Sequence, residues 1–152
     1  MKKRLFLVYA AVLMLCCTAC GKSKTPITAA DFTNQMESAG FDIQDATGQF
    51  AEGEVESVTL AMCENYQLEF YVLPSKEQAA GAYEQNRTSF ENVQGAKSSH
   101  VSVTLGNYGY YYRVVDDRVF LISYIDNTLL YCVADSAYAD EIKEYAKEAG
   151  YL

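Results

Sequence analysis

The chain contains no tryptophan, a single histidine and no apolar run of membrane-spanning length. Each shortage removes a class of function. The greasy stretch Leu5–Leu15 falls short of the roughly 20 residues that cross a bilayer as a helix. Neither Cys63 nor Cys132 belongs to a Cys-x-x-Cys pair or has a histidine near it in the sequence, so a zinc-type ligand set is missing around them. A phosphate loop, a dinucleotide-binding glycine fingerprint, a zinc-protease helix and a calcium loop are also lacking, and neither metal nor cofactor is expected. Positive charge is scarce: 12 Lys and Arg face 20 Asp and Glu, for a formal charge of −8. That field repels phosphate backbones and argues against nucleic acid as a partner. It repels an anionic membrane as well, so any attachment must come from something other than net charge.

What is present fits one folded domain behind a targeting segment. Half of the 152 residues are hydrophobic and 21% are charged, a balance that builds a core. Lys2, Lys3 and Arg4 form a positive start, Leu5–Leu15 an apolar centre, and Cys17-Thr18-Ala19-Cys20 a small-residue exit. That order is the layout of a signal peptide. It resembles the lipobox of bacterial lipoproteins, in which the cysteine after a small residue receives a diacylglyceryl thioether before cleavage. Cys17 stands where such motifs usually carry an aliphatic residue. Of the three clustered thiols, only Cys20 has Ala immediately before it and a polar linker immediately after it.

The resemblance implies acylation of Cys20 and loss of residues 1–19, with Cys16 and Cys17 among them. A tether over 20–28 would then carry a single domain over 29–152 on the extracytoplasmic face. Removing three positive charges takes the formal −8 to −11. Two acyl chains suffice for stable anchoring, at ~0.8 kcal/mol per buried methylene. The competing reading is an ordinary secretory signal cut nearby. Gly21, not Asp, follows the cysteine, so no retention signal of the Gram-negative inner-membrane type is evident.

Hydrophobic periodicity predicts three helices and seven strands. Thr28 and Asp31 make a capping-box variant before Phe32 and Met36, and Gly40 ends that helix. Alternation marks strands over 41–47, 55–63 and 66–73, with Val58, Leu60 and Met62 on one face and Glu64-Asn65 as a turn. Ser75 and Gln78 open a second helix with the stripe Ala79, Tyr83, Phe90 and Val93. A four-strand meander follows over 99–105, 108–115, 118–125 and 128–134. Its last two strands are apolar on both faces and therefore central or helix-covered. Ser136 is expected to cap a final helix striped by Tyr138, Ile142, Tyr145 and Ala149. The order α-β-β-β-α-β-β-β-β-α predicts an α+β domain, one antiparallel sheet with helices packed on a face.

Few constellations carry chemistry. His100 shares a strand face with Ser102 and Thr104, and no nucleophile elbow supports a triad with a nearby serine. Glu52, Glu54 and Glu56 alternate and could supply the acids of a cell-wall hydrolase, or form only a solvated face. The aromatic content is more distinctive: 13 Tyr and seven Phe, with Tyr108, Tyr110 and Tyr112 on one face of a strand. Such rings suit a glycan or protein partner, or pack across strands as core. Cys63 and Cys132 both fall in strands and could form a disulfide outside the cytoplasm or remain buried thiols.

Ile125-Asp126-Asn127-Thr128-Leu129-Leu130 and the terminal Gly150-Tyr151 resemble a pattern in small lipoproteins of Gram-positive bacteria. The resemblance implies a membrane-anchored, outward-facing domain and supplies no activity. The expectation is a binding or interaction domain for a protein or cell-envelope component, held to the membrane by lipid on Cys20; a cell-wall-directed hydrolase is the alternative.

Overall fold

The computed structural model describes residues 23–152, so the signal-like segment and Cys20 lie outside the described residues. The elements are α1 (Ala29–Ser38), β1 (Asp42–Asp45), β2 (Ser57–Met62), β3 (Gln67–Val72), α2 (Lys76–Glu91), β4 (Ser98–Leu105), β5 (Tyr108–Val115), β6 (Arg118–Ile125), β7 (Thr128–Asp135) and α3 (Ala139–Glu148). Their order and the α+β class are those expected. The strands form one antiparallel sheet in the order β1-β2-β3-β7-β6-β5-β4. The meander is therefore continuous, and the first three strands join it at its last strand.

Local chemistry sets the helix ends. The Thr28 hydroxyl accepts from the Asp31 amide at 3.0 Å, and the Asp31 carboxylate accepts from the Thr28 amide at 3.1 Å. This reciprocal pair satisfies two orphan donors of α1. The Thr28 hydroxyl, which donates to the Asp31 carboxylate at 2.7 Å, and then the Thr28 amide hold the Asp31 carboxyl below its usual range. At the other end Gly40 sits at φ +89°, letting the Phe41 amide reach the Met36 carbonyl at 3.0 Å. The end of α3 repeats the device: Gly150 has φ +85°, and the Tyr151 amide reaches the Ala146 carbonyl at 2.7 Å. Both closures deliver an aromatic ring into the core. Ser136 does not cap α3. The N-cap of that helix is Tyr138, which makes no side-chain cap; Asp135 instead caps the 3-10 turn Ser136–Tyr138 that precedes the helix, accepting from the Ala137 amide at 2.7 Å.

Helices cover both faces of the sheet, not one. On one face Leu68, Phe70, Leu121, Leu130 and Cys132 pack with Phe32 and Met36 of α1 and with Ile142 and Ala146 of α3. On the other, Phe120, Ile122, Tyr124 and Leu129 pack beneath Ala79, Tyr83 and Phe90 of α2. This explains why β6 and β7 read as apolar on both sides, each buried Leu, Ile or Phe contributing about 1.5–3 kcal/mol. In β2 Val58, Leu60 and Met62 share one face as expected, but the α1 core lies on the other. Ala61, fully buried, joins the α1 core, whereas Leu60 and Met62 are half-buried. Val58 is buried on the opposite side, and its amide donates to the Thr47 hydroxyl at 3.0 Å.

Two details tighten the centre. A methyl at Gly109 would meet the Tyr124 ring at 2.8 Å, so the glycine among the β5 tyrosines makes room for an aromatic neighbour. Tyr151 is buried edge-on to Phe70, with centroids 5.8 Å apart. Its carbonyl accepts from the Ser123 hydroxyl at 2.6 Å, and its own hydroxyl is hydrogen-bonded with Thr128. Burial raises that phenol above the ordinary tyrosine range.

Candidate functional site

The sheet face under α2 is not fully covered. Tyr83, Phe90 and their neighbours roof the meander side, but β3 carries Gln67, Glu69 and Tyr71 on this face, too polar for helix packing. An open groove of about 710 Å³ results. Its floor is set by strand register, which pairs Glu69 with Tyr131 and Tyr71 with Leu129. One wall is α2, presenting Gln78, Gln85 and Asn86. The other is the β1–β2 connection, with Phe50 and Glu54. Phe50 stands edge-on to Tyr71 at 6.0 Å, closing that side. A second hollow of about 570 Å³ shares Glu69 and Tyr131 and extends to Arg118.

The floor is organised around one carboxylate. Glu69 accepts from the Gln67 amide nitrogen at 2.7 Å and from the Tyr71 hydroxyl. Burial, and then the hydrogen bond to Glu69, raise the Tyr71 phenol above its ordinary value. Burial and Glu69 act on Tyr131 in the same direction. Both phenols are therefore neutral donors at any physiological pH. The floor combines two aromatic surfaces, a fixed carboxylate and side-chain amides within reach. Such a set holds hydroxyl- or amide-bearing ligands by stacking and hydrogen bonding.

The tyrosines singled out from sequence divide between two environments. Tyr112 is buried, and its hydroxyl donates to the Ala139 carbonyl at 2.7 Å. Burial, with the nearby Asp140 adding to it, pushes its phenol up to about 12. Tyr108 and Tyr110 stay half-buried near the free end of the sheet. Cys63 and Cys132 are separate free thiols. Cys63 is exposed and donates to the Tyr66 carbonyl at 3.4 Å; Cys132 lies in the core, where burial pushes its thiol up to about 12.

His100 is exposed and stacks on Tyr111 at 6.0 Å. Among the described residues no hydrogen bond joins it to a serine, and Ser98 accepts instead from Arg113 at 3.0 Å. Of the alternating acids only Glu54 lines the groove, where it accepts from the Ala51 amide at 3.0 Å. Among the described residues no cluster of His, Cys, Asp and Glu could hold a metal, and no helix is long and apolar enough to cross a membrane.

Two features went unread in the sequence. One is the groove, whose signal was the polar second face of β3, a strand with neighbours on both sides. The other is the docking of residues 24–28, which composition marks as tether. The Lys24 amide donates to the Asn107 side chain at 3.1 Å, and the Asn107 amide donates back to the Lys24 carbonyl at 2.7 Å. The Lys24 ammonium donates to the carbonyls of Gly150 and Leu152 at 2.8 and 3.3 Å and lies 4.9 Å from the centroid of the Tyr108 ring. Its partial burial lowers its pKa.

No protein-family profile and no curated protein matches the chain. A crystal structure of a GTP binding regulator from Thermotoga maritima aligns with 82% of this chain and 87% of that one, at 16% identity and a TM-score of 0.48. So remote a likeness carries no functional meaning.

Proposed function

We propose that the chain is a lipid-anchored, extracytoplasmic binding domain for a protein or cell-envelope component, with the β3–β7 groove as its ligand site. The lipobox-like run ending at Cys20 supports the anchor. The observation that carries the binding reading is the groove floor, where Glu69, Tyr71 and Tyr131 converge beside the amides of α2. Tyrosine rings offer large contact area with little side-chain entropy to lose, and Glu69 adds a directional acceptor. A photo-crosslinking residue at Gln85, inside the groove, should give adducts on intact cells. The same residue at Ser89, exposed on α2 outside the groove lining, should give none. Equal or absent labelling at both positions would sink the assignment.

A second reading has one observation in its favour: Glu54 and Glu69 line the same groove, as the two acids of a cell-wall hydrolase would. In that case the purified protein degrades cell-wall polymer, and Glu54→Gln and Glu69→Gln each abolish the activity. Retained ligand binding in those variants, with no turnover in the parent, would leave the binding reading alone.

A further inference from the structure

The hairpin formed by β4 and β5 departs from the rest of the molecule in three respects. It is bare: Val101 and Leu105 are 51% and 45% exposed, though both lie on the sheet face that α1 and α3 cover elsewhere. Register puts Val101, Val103 and Leu105 opposite Tyr112, Tyr110 and Tyr108, so the aliphatic and aromatic side chains form one continuous strip. Its inner end is covered at Tyr112 by the start of α3, and Tyr108 packs partly against the same core, while the aliphatic side at Val101 and Leu105 stays open. The hairpin also lacks acids: no Asp or Glu occurs between Glu91 and Asp116, in a chain with 20 of them. Finally, the chain enters the domain at this strip, because Lys24 is fixed to Asn107 in the β4–β5 turn and sits over the rings of Tyr108 and Tyr110.

The distance from Lys24 to Cys20 makes these facts one. Four residues, even fully extended, span at most about 14 Å. Part of that reach is used in passing the headgroup layer, since the acyl chains occupy the hydrocarbon beneath it. A chain anchored at Cys20 is therefore held with Asn107, Tyr108 and Leu105 close to the bilayer surface. Tyrosine suits that depth, with its ring in the apolar boundary and its hydroxyl in the headgroups. The absence of carboxylates removes the repulsion that the rest of the acidic surface would meet at an anionic bilayer.

We infer that the strip of Val101, Val103, Leu105, Tyr108 and Tyr110 docks on the membrane surface, fixing the orientation of the domain. The inference rests on the reading that Cys20 is acylated. The groove lies on the opposite face of the sheet, so docking leaves it open to the outside. The uncovered strip also explains why a long edge strand lacks the charges that usually blunt such edges: its cover is the membrane.

The absence of tryptophan makes the test direct. Full-length Leu105→Trp, Val101→Trp and Ser89→Trp chains are expressed in the native host and purified in detergent. Each is then reconstituted into phosphatidylcholine–phosphatidylglycerol vesicles with or without brominated acyl chains. The expected result is a blue shift and bromine quenching for the first two variants and neither for Ser89→Trp. Partition of the same preparations between detergent and aqueous phases reports the anchor separately. Aqueous partition would overturn the anchor and the docking together. Detergent partition with an unquenched residue at 105 and 101 would overturn docking alone. A blue-shifted but unquenched signal would show a polypeptide, a second copy of the chain, covering the strip and overturn docking too. Should Leu105→Trp disturb the fold by circular dichroism, Val101→Trp, at the more exposed position, decides.

Discussion

The two edges of the sheet solve the same problem differently. β1 is four residues long, carries Asp42 and Asp45, and has α1 packed beside it. β4 is eight residues long, has no acid, and exposes Val101 and Leu105. The first is an edge protected by shortness, charge and a helix. The second is an edge whose apolar side chains await cover from outside the domain. Among the described residues the exposed large hydrophobics are Phe50 in the groove and Val101 and Leu105 on the hairpin where the tether enters, and that coincidence gives the hairpin's exposure a meaning.

Paired truncations break or confirm the contrast most forcefully. Leu121 and Leu105 lie on the same face of the sheet, one fully buried and one 45% exposed. Leu121→Ala should cost about 2–5 kcal/mol in urea unfolding, whereas Leu105→Ala should stay within about 0.5 kcal/mol. Comparable losses would mean that the hairpin is covered after all. Gly109→Ala should destabilise by about 1–3 kcal/mol, because its new methyl meets the Tyr124 ring at 2.8 Å; thermal unfolding reads this.

Smaller effects sharpen the account of the tether. Asn107→Ala removes both hydrogen bonds to the Lys24 backbone and should cost about 1 kcal/mol. Hydrogen exchange should then quicken over residues 24–28 and hardly change in β6. Asp31→Asn is the mildest change and depends on pH. The folded carboxyl of Asp31 is held low, so its contribution is present above the unfolded value of about 4 and lost as pH falls through the lower folded value. The stability gap between parent and variant should thus be constant at neutral pH and close in acid.

Much of the fold was legible because local signals agreed with the global pattern. Thr28-Asp31, Gly40 and Gly150 each act through backbone groups within a few residues, so sequence alone locates them. The meander was legible for a similar reason: tight turns at Gly106-Asn107, Asp116-Asp117 and Asp126-Asn127 separate strands of equal length, with Asp116 and Asp126 at positive φ. What was not legible depends on distant partners. Which side of β2 is buried follows from where the 47–56 connection folds, not from its own alternation. Tyr112 and Tyr108 share a strand face, and only the position of α3 makes one core and leaves the other half-buried. The groove required knowing that β3 pairs with β7, residues far apart in the chain.

The measurement that bears most directly on the central claim is the intact mass of the protein extracted from its native membranes. The account predicts a chain beginning at Cys20 and carrying two or three acyl groups, which would hold the β4–β5 hairpin at the bilayer and the groove outward. An unacylated mass would contradict it, leaving a diffusible domain with an exposed apolar strip and no membrane to cover it.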